Sequence, residues 1–528
     1  MKSVSTTFTT LILLTITSFS RASSSSTENF LECLSKQFIN YSSISNDVYT
    51  PTNSSYLSIL KFSIQNLRFA TNSTPKPQVI ITPEHESQIP PVIYCAKKND
   101  LQIRTRSGGH DFEGLSYVSP VPFVIIDLFK LSDTRVDVAT KTAWVGAGAT
   151  IGSLYYRIAE KSPVLGFPSG NCATVGLGGQ ISGGGIGLMP RKYGLAADNV
   201  VDARIVDVNG RILDKKSMGE DLFWAIRGGG GASFGVITAW KVKLVDVPET
   251  VTVFNIDRTL EQNATQLVHR WQYIAPEVSR DLLIGLVVTR QGSTVRVSFY
   301  SLFLGGIERL LEIMKASFPE LGLVREDCTE TSWIKAVLSI GAGYPIETPT
   351  PVLLHRTNIY KGYFKAKSDF VQAPIPESGF EGVWRLLLEP EGAQARLEMV
   401  PYGGRMAEIS DSAIPFPHRA GNLYEILQLA NWREDENRDS GKYISWIRRL
   451  ESYLTPYVSR NPREAYINAR DLDLGVNNVQ GKTSYAQASV WGKKYFKKNF
   501  DRLVRVKALV DPKNFFRNEQ SIPPFLLR

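Results

Sequence analysis

The spacing of apolar residues changes along the chain at about residue 250. Before that point, short apolar runs predict buried strands, and one periodic stretch predicts a helix over Ile151–Lys161. Beyond it, longer helical periods alternate with strand runs, which is typical of an α+β domain built on an antiparallel sheet. The predicted strands are Val79–Ile81, Leu101–Arg104, Phe123–Asp127, Val200–Val208, Val236–Leu244, Leu282–Thr289 and Val295–Leu304. The other predicted helices are Asp221–Arg227, Glu261–Ile274, Ile307–Ser317 and Asn499–Asp511.

Residues 165–190 contain many glycines and few strand or helix formers. Such a segment is typical of a place where backbone must approach another group closely. Two further glycine-rich turns, Gly146–Gly152 and Gly228–Gly231, lie on either side of it. Each turn alone is compatible with a simple loop, and the first lacks the spacing of a Rossmann fingerprint. Together they predict backbone amides that cradle a pyrophosphate and a flat ring without a Rossmann helix.

The first 25 residues have the pattern of a secretory signal peptide. Lys2 precedes a short apolar core at Leu11–Ile16, and small residues follow at Ala22–Ser26. Four N-glycosylation sequons agree with a secretory route. The sequons are at Asn40, Asn53, Asn72 and Asn263. The four cysteines are compatible with disulfides, but their spacing alone does not give the pairing.

The composition excludes several classes of protein. With 528 residues, 43% of them hydrophobic and 21% charged, the chain is long enough for two globular domains. No segment reaches the ~20 apolar residues of a membrane span, and the five histidines lack metal-ligand spacing. The net charge of +9 is spread along the chain, and its densest stretch predicts one amphipathic helix with a solvated basic face rather than a nucleic-acid site. That stretch contains Lys493, Lys494, Lys497 and Lys498.

Two glycine-rich loops have sequences that are more specific than their glycine spacing alone. Arg104–Gly114 reads RTRSGGHDFEG and resembles the pyrophosphate loop of plant flavoproteins of the berberine bridge enzyme and cannabinoid synthase family. Gly170–Gly179, which reads GNCATVGLGG, is similar to the second flavin loop of that family. The resemblance runs from about residue 28 to the end, and within the family the chain resembles the cannabinoid synthase branch. Further matching segments are Gly194–Asn199, Met218–Ala225, Arg227–Gly230, Ile414–Arg419, Arg470–Asp473 and Asn514–Pro524.

The resemblance implies FAD held by two covalent bonds. His110 would bind the flavin 8α-methyl carbon and Cys172 would bind flavin C6, since a neutral imidazole and a thiolate can both attack an electrophilic ring. The simpler alternatives are a loop histidine that hydrogen-bonds backbone and a half-cystine. The family disulfide corresponds to Cys33–Cys95, which leaves Cys328 free. The other residues expected at FAD are Arg106, Ser107, Gly108, Gly109, Gly176, Gly179, Asn199 and Val236.

The resemblance also implies a domain arrangement. The FAD domain consists of an N-terminal helical segment, residues 26–75, followed by the PCMH-type FAD-binding domain, residues 76–252. A substrate domain, 253–475, has an antiparallel sheet with covering helices. The C-terminal segment 476–528 returns to the FAD-binding domain.

Several positions around the expected substrate pocket depart from the family pattern. The family's catalytic base is a tyrosine, and Ala469 stands at its position. A histidine near flavin N1 is replaced by Gln180, and a tyrosine after a glycine run is replaced by Ile186. A pocket histidine and a pocket tyrosine align with Leu286 and Val400. The pocket residues that the resemblance retains are Glu425, Arg290 and Tyr402.

Loss of the base narrowly favours a non-oxidative cyclase, in which FAD and an apolar pocket orient hydrophobic, prenylated phenols for a Diels–Alder-type cycloaddition. Orientation alone accelerates such a reaction, and Arg290 and Gln180 would hydrogen-bond a dienophile carbonyl. The alternative is an oxidative cyclase in which dioxygen reoxidises the flavin, hydrogen peroxide is released and Glu425 is the base. Val175, three residues after Cys172, is similar to the oxygen-reactive members.

A catalytically silent flavoprotein or a carbohydrate-binding wall protein ranks last, because the pocket has lost polar groups. We expect a monomer that acts on small molecules in the vacuole or the apoplast.

Overall fold

A computed structural model of the chain describes residues 26–38, 42–357 and 361–525. The predicted signal peptide, residues 1–25, and the sequon at Asn40 lie outside the described residues. In the part that the structure describes, no helix is long and apolar enough to cross a membrane.

The first half of the chain forms two sheets that meet at the glycine loops. One has the strand order β1-β2-β4-β3, with β2, β4 and β3 parallel. The other is antiparallel, with the order β5-β6-β10-β8-β9, and β7 pairs with β11 separately. The strands are β1 Val48–Tyr49, β2 Val79–Ile81, β3 Gln102–Arg106, β4 Phe123–Asp127, β5 Thr134–Asp137, β6 Thr142–Gly146, β7 Leu165–Gly166, β8 Val200–Val206, β9 Ile212–Leu213, β10 Val236–Lys243 and β11 Val245–Asp246.

A seven-stranded antiparallel sheet dominates the second half, with the order β15-β12-β14-β13-β17-β18-β16. Its strands are β12 Val251–Thr259, β13 Leu282–Gln291, β14 Thr294–Phe303, β15 Cys328–Thr331, β16 Tyr363–Val371, β17 Arg396–Pro401 and β18 Tyr424–Trp432. Alternate residues of these strands face opposite sides of the sheet. Leu286 and Val288 lie in the core beneath the covering helices, whereas Val287 faces a cavity on the other side.

Helices cover both parts of the fold. Helix α5 begins at the N-cap Thr150, whose hydroxyl accepts a hydrogen bond from Ser153 N. The helices are α1 (residues 26–37), α2 Ser42–Ser45, α3 Tyr56–Phe62, α4 Ile89–Lys98, α5 Ile151–Ala159, α6 Leu177–Ser182, α7 Pro190–Tyr193, α8 Lys215–Ile226, α9 Ala264–Ile274, α10 Ile307–Ser317, α11 Trp333–Ala336, α12 Glu377–Leu387, α13 Arg405–Glu408, α14 Ser440–Leu454, α15 Tyr485–Phe496 and α16 Asn499–Val510.

The hydrophobic side chains form two large cores. One packs β12–β14, β17 and β18 against α9, α10, α12 and α14. The other contains the first two sheets together with α15 and α16, so the C-terminal segment packs with the first half of the chain. This arrangement agrees with an α+β fold, and the domain boundaries at 252 and 475 stay predictions.

Two expectations about local structure are wrong. The basic stretch is not one helix, because the backbone of Lys497 has a positive φ (48°) and separates α15 from α16. The glycine-rich segment also contains a short helix, α6, which the scarcity of helix formers did not indicate. Cys33 and Cys95 form the expected disulfide, and Cys172 and Cys328 are free.

Candidate active site

A cavity of about 1240 Å³ lies between the glycine loops and one face of the seven-stranded sheet. Typical ligand pockets have volumes of roughly 300–1,000 Å³. The glycine loops supply the floor of the cavity and β13, β14, β17 and β18 supply the opposite wall. A cavity of this size has room for a large cofactor together with a small-molecule substrate.

The two predicted flavin loops touch each other backbone to backbone. A Cβ at Gly108 would lie 2.4 Å from the backbone nitrogen of Gly176, and a Cβ at Gly176 would lie 2.0 Å from Ser107 Oγ. Gly109 has a φ of +71°, which side-chain-bearing residues rarely adopt. In contrast, a Cβ at Gly179 would meet no atom within 4 Å. Since Gly179 lines the cavity, its missing side chain leaves space for a ligand there.

His110 and Cys172 both line the cavity and are brought together by these loops. His110 Nε2 lies 3.0 Å from Thr174 Oγ1, and Cys172 Sγ lies 3.5 Å from the same oxygen. Burial lowers the pKa of His110 to about 4, so its imidazole is neutral at neutral pH. A neutral imidazole and a free thiol therefore stand next to each other on the wall of the cavity.

Glu425 lies on β18, opposite Val400 of β17, and its side chain lines the cavity. It is 6% exposed. Burial, with a smaller effect of the negative charge of Glu398, raises the pKa of Glu425 to about 8. The cavity therefore contains a carboxyl group poised to exchange a proton near neutral pH.

Ala469 lines the cavity and is 3% exposed. It lies on a loop that is held from both sides. Asn468 Nδ2 donates to the Gln180 carbonyl at 2.9 Å, and Asp471 accepts from the buried Lys367 at 2.7 Å. The nearby Tyr466 hydroxyl accepts from the Gly185 amide at 3.0 Å and from Asn468 Nδ2 at 2.8 Å. Burial raises the pKa of Tyr466, so its phenol stays protonated at neutral pH and is not available as a base.

Gln180 also lines the cavity, on α6, and is buried. Its Oε1 accepts a hydrogen bond from Ser169 Oγ at 2.9 Å. Val175 and Ile186 line the same cavity. The structure thus brings together Ser107, Gly108, Gly109, His110, Cys172, Gly176, Gly179, Gln180 and Glu425.

The side chains of two predicted pocket residues, Arg290 and Tyr402, do not line the cavity, and neither does Leu286. Arg290 donates to the carbonyls of Gly292 and Leu388, because it shares the strand alternation of Leu286 and points to the helix side of the sheet. Tyr402 is fully buried against Phe370, with ring centroids 5.8 Å apart. The structure therefore places the Arg290 side chain outside the cavity and does not support the expected contact with substrate, which stays a prediction.

Three predicted FAD residues also direct their side chains elsewhere. Arg106 is fully buried and pairs with Asp127 at 2.6 Å, so it holds β3 to β4. Asn199 donates to the carbonyls of Tyr193 and Leu195, both at 2.9 Å, and lines a separate, smaller pocket. Val236 packs in the hydrophobic core that contains the first two sheets.

The cavity is also lined by residues that the motifs did not indicate, among them Tyr300, Glu398 and Tyr466. Tyr300 and Glu398 could have been found from strand alternation. Tyr300 is two residues from Ser298 on β14, and Glu398 is two residues from Val400 on β17, so each pair shares one face of the sheet.

The residues around the cavity fit FAD, which the resemblance implies. Buried polar atoms without a hydrogen-bond partner include Gln65 Oε1, Asn171 Oδ1 and Arg470 Nη1, and all three residues line the cavity. Buried polar groups are normally satisfied, so these atoms indicate a polar ligand. The Ser107–His110 and Cys172–Gly179 loops would hold its phosphates and ring.

Comparison with known proteins agrees with this reading of the cavity. Residues 77–215 match the model of an FAD binding domain, and residues 465–523 match the model described as berberine and berberine like. A tetrahydroberberine oxidase from Berberis wilsoniae is 52% identical over 99% of this chain and 98% of its own length. Cannabidiolic acid synthase-like 1 from Cannabis sativa is 50% identical over 95% of this chain and 94% of its own length.

The solved structure of BBE-like #28 from Arabidopsis thaliana has a TM-score of 0.89 and 48% sequence identity, and the match covers 94% of this chain and all of that one. Identities of this size over almost the whole chain, together with the glycine loops and the cavity that they line, establish the family. The chain belongs to the berberine bridge enzyme-like family of FAD-dependent oxidoreductases.

Proposed function

We propose that this protein is an FAD-dependent oxidase of hydrophobic, aromatic small molecules and that Glu425 is its catalytic base. The observation that carries the proposal is the buried Glu425 carboxyl on the cavity wall, with its pKa raised to about 8. A carboxyl group with this pKa accepts a proton in the neutral to mildly alkaline range. The Berberis wilsoniae relative is named an oxidase, which supports the same reaction type.

The residues of the chain have separate roles in this reaction. Glu425 takes the proton of a substrate hydroxyl or ammonium group, while Val287, Val400 and Leu427 bind the apolar ring system and exclude water. FAD, when bound, would supply the hydride acceptor, with dioxygen as the final oxidant and hydrogen peroxide as the second product. His110 and Cys172 would anchor the cofactor covalently.

Val175 is proposed to allow dioxygen to reach the flavin. It lines the cavity three residues after Cys172. Val175→Leu adds one methylene group to this wall, so flavin reoxidation by oxygen should slow. Reduction of the flavin by substrate under anaerobic conditions serves as the internal control, because it should change little.

A non-oxidative cycloaddition is the second candidate, and Ala469 is the observation that favours it. The family's base position carries no polar atom here, and a cycloaddition needs none. Of the two donors expected at a dienophile carbonyl, Gln180 lines the cavity and Arg290 does not. The loss of Arg290 as a candidate weakens this alternative, and Glu425 supplies the base that the oxidase needs.

Product mass and oxygen uptake, measured together, test the proposal. Purified protein would be incubated with tetrahydroberberine and with prenylated phenols. A product two or more hydrogens lighter than its substrate, with matching oxygen uptake, supports oxidation. An isomer of one substrate or the sum of two, formed equally well without oxygen, refutes it and supports cycloaddition.

We propose covalent attachment through both His110 and Cys172, with the protein acting in the vacuole or apoplast as a monomer. The disulfide is typical of proteins that pass through an oxidising compartment. Three sequons, at Asn53, Asn72 and Asn263, are exposed and accessible to glycosylation. Flavin that stays with acid-precipitated protein would support attachment, and complete release would refute it.

A further inference from the structure

Thr174 lies between the two side chains proposed to bind flavin. Its Oγ1 is 3.0 Å from His110 Nε2 and 3.5 Å from Cys172 Sγ. Thr174 is 7% exposed, so bulk water competes little for these contacts. One hydroxyl therefore connects both nucleophiles.

The position of this hydroxyl is fixed by its surroundings. The backbone on both sides is held by the first turn of α5, because Ile151 N donates to Val175 O and Gly152 N donates to Ala173 O, each at 2.9 Å. The Thr174 carbonyl also lies where a Cβ at Gly108 would be only 2.9 Å away. Since threonine is stiff at χ1, its oxygen has little freedom to move.

The positions of the protons on His110 and Thr174 determine which nitrogen of His110 is free to attack and whether Thr174 can donate to Cys172. The neutral His110 ring carries one proton, and a hydroxyl has one proton and two lone pairs. When Nε2–H donates to Thr174 Oγ1, the hydroxyl proton is free to point to Cys172 Sγ. The lone pair of the ring then lies on Nδ1. In the opposite direction, Oγ1–H would donate to Nε2, and the proton on Nδ1 would prevent that nitrogen from attacking.

We propose that Thr174 is a positioning residue for flavin attachment. Its hydroxyl accepts from His110 Nε2–H, which leaves Nδ1 as the attacking nitrogen, and donates to Cys172 Sγ when the sulfur is a thiolate. This inference rests on the attachment proposed above and extends it to Thr174, which itself forms no covalent bond to the flavin.

The chemistry of both links balances with dioxygen as the oxidant. At the histidine, an Nδ1–C bond forms, a C–H bond of the 8α-methyl group breaks, and the Nε2 proton leaves towards Oγ1. At the cysteine, an S–C bond forms and the C6–H bond breaks. Each link leaves two electrons on the flavin, and dioxygen takes them with two protons to give hydrogen peroxide.

Three variants of the full-length, secreted protein test the role of Thr174. Thr174→Val keeps the branched shape and removes the hydroxyl, whereas Thr174→Ser keeps the hydroxyl. Thr82→Val is a matched control, because Thr82 is fully buried and its hydroxyl donates to Asp47 at 3.3 Å. The fraction of protein with flavin on the His110 peptide and on the Cys172 peptide is measured by mass spectrometry, and bound noncovalent FAD and Tm are measured alongside.

In Thr174→Val we expect flavin on His110 to fall about fivefold or more, which is the order of effect for one lost hydrogen bond. FAD should remain bound without the covalent bond, Tm should stay near that of the Thr82→Val control, and Thr174→Ser should restore attachment. Normal attachment at both sites in Thr174→Val overturns the role of Thr174 alone. A wild-type protein without covalent flavin overturns the attachment proposal with it, whereas oxygen uptake tests the oxidase proposal separately.

Discussion

Replacing Glu425 by glutamine tests whether this carboxyl is the base. The substitution keeps the shape of the side chain and removes its ability to accept a proton. General-base catalysis contributes about 10²–10⁴-fold to a rate, so kcat for oxidation should fall by that factor. FAD content should not change, because Glu425 lies on the sheet wall and not on the glycine loops.

The Glu425 pKa of about 8 determines how kcat/KM depends on pH. In the free enzyme only about a tenth of the Glu425 side chains are ionised at pH 7, so kcat/KM should rise about tenfold up to a plateau above pH 8. Glu425→Gln should lack this rise. Glu398→Gln is the companion variant: it removes the neighbouring negative charge and should move the rise to lower pH.

The same carboxyl should affect stability in a defined direction. The folded chain keeps the Glu425 proton up to about pH 8, whereas an unfolded chain loses it near pH 4.5. The stabilisation that this group contributes is therefore fully present below pH 4.5, decreases as the pH rises, and is lost once the pH has passed about 8. At about 1.4 kcal/mol per pH unit the total is on the order of 5 kcal/mol, and Glu425→Gln should be correspondingly less sensitive to pH.

Stopped-flow reduction of the flavin between pH 5.5 and 9.5 and thermal unfolding across the same range measure both effects. Glu425→Asp is the control variant. It keeps an ionisable carboxyl group but shortens the side chain, so it separates the effect of ionisation from the effect of side-chain length. A rise in kcat/KM near pH 8 that persists in Glu425→Gln, or a kcat within about threefold of wild type, would refute the assignment of Glu425 as the base.

Four further outcomes are expected from other parts of the molecule. Gly179→Ala should fold normally but bind less FAD, measured by flavin absorbance per protein, since its Cβ would enter the cavity without touching protein; Gly108→Ala should lower the yield of folded protein because it clashes with Gly176. Removing the Cys33–Cys95 disulfide, which closes a separation of 62 residues, should cost about 4 kcal/mol in denaturant unfolding. Lys365→Met should destabilise the fold by about 3–5 kcal/mol, because it leaves the buried Glu113 and Asp471 carboxylates without this partner; an unchanged Tm would contradict this.

The strands and helices that sequence predicts best have uninterrupted patterns. Val79–Ile81, Phe123–Asp127 and Ile307–Ser317 occur with the predicted bounds, because each has a continuous apolar run or a clear helical period. The strand from Val200 ends at Val206 instead of Val208. The Asp207 carboxylate accepts from the amides of two later residues and closes a turn there, which apolar spacing does not reveal.

The site divides in the same way into a predictable and an unpredictable part. Each glycine loop is a local motif, and the resemblance of both loops to one family predicts that His110 and Cys172 lie at one site; both line the cavity. The sheet wall depends on strand alternation, where an error of one residue moves a side chain to the other face. The family resemblance predicts Leu286 and Arg290 at the pocket, but both lie on the helix side of β13, and Val287 lines the cavity instead.

The alanine at position 469 has a physical explanation that does not require loss of catalysis. Its loop is held by Asn468 and by Asp471, and neither contact involves the side chain at 469. That position can therefore change without moving the cavity wall. Glu425 belongs to a different element, β18, whose place is fixed by the ladder to β17. Because none of these contacts depends on the side chain at 469, a base can be lost at that position and retained at Glu425, which is the arrangement that an oxidase with Glu425 as its base requires.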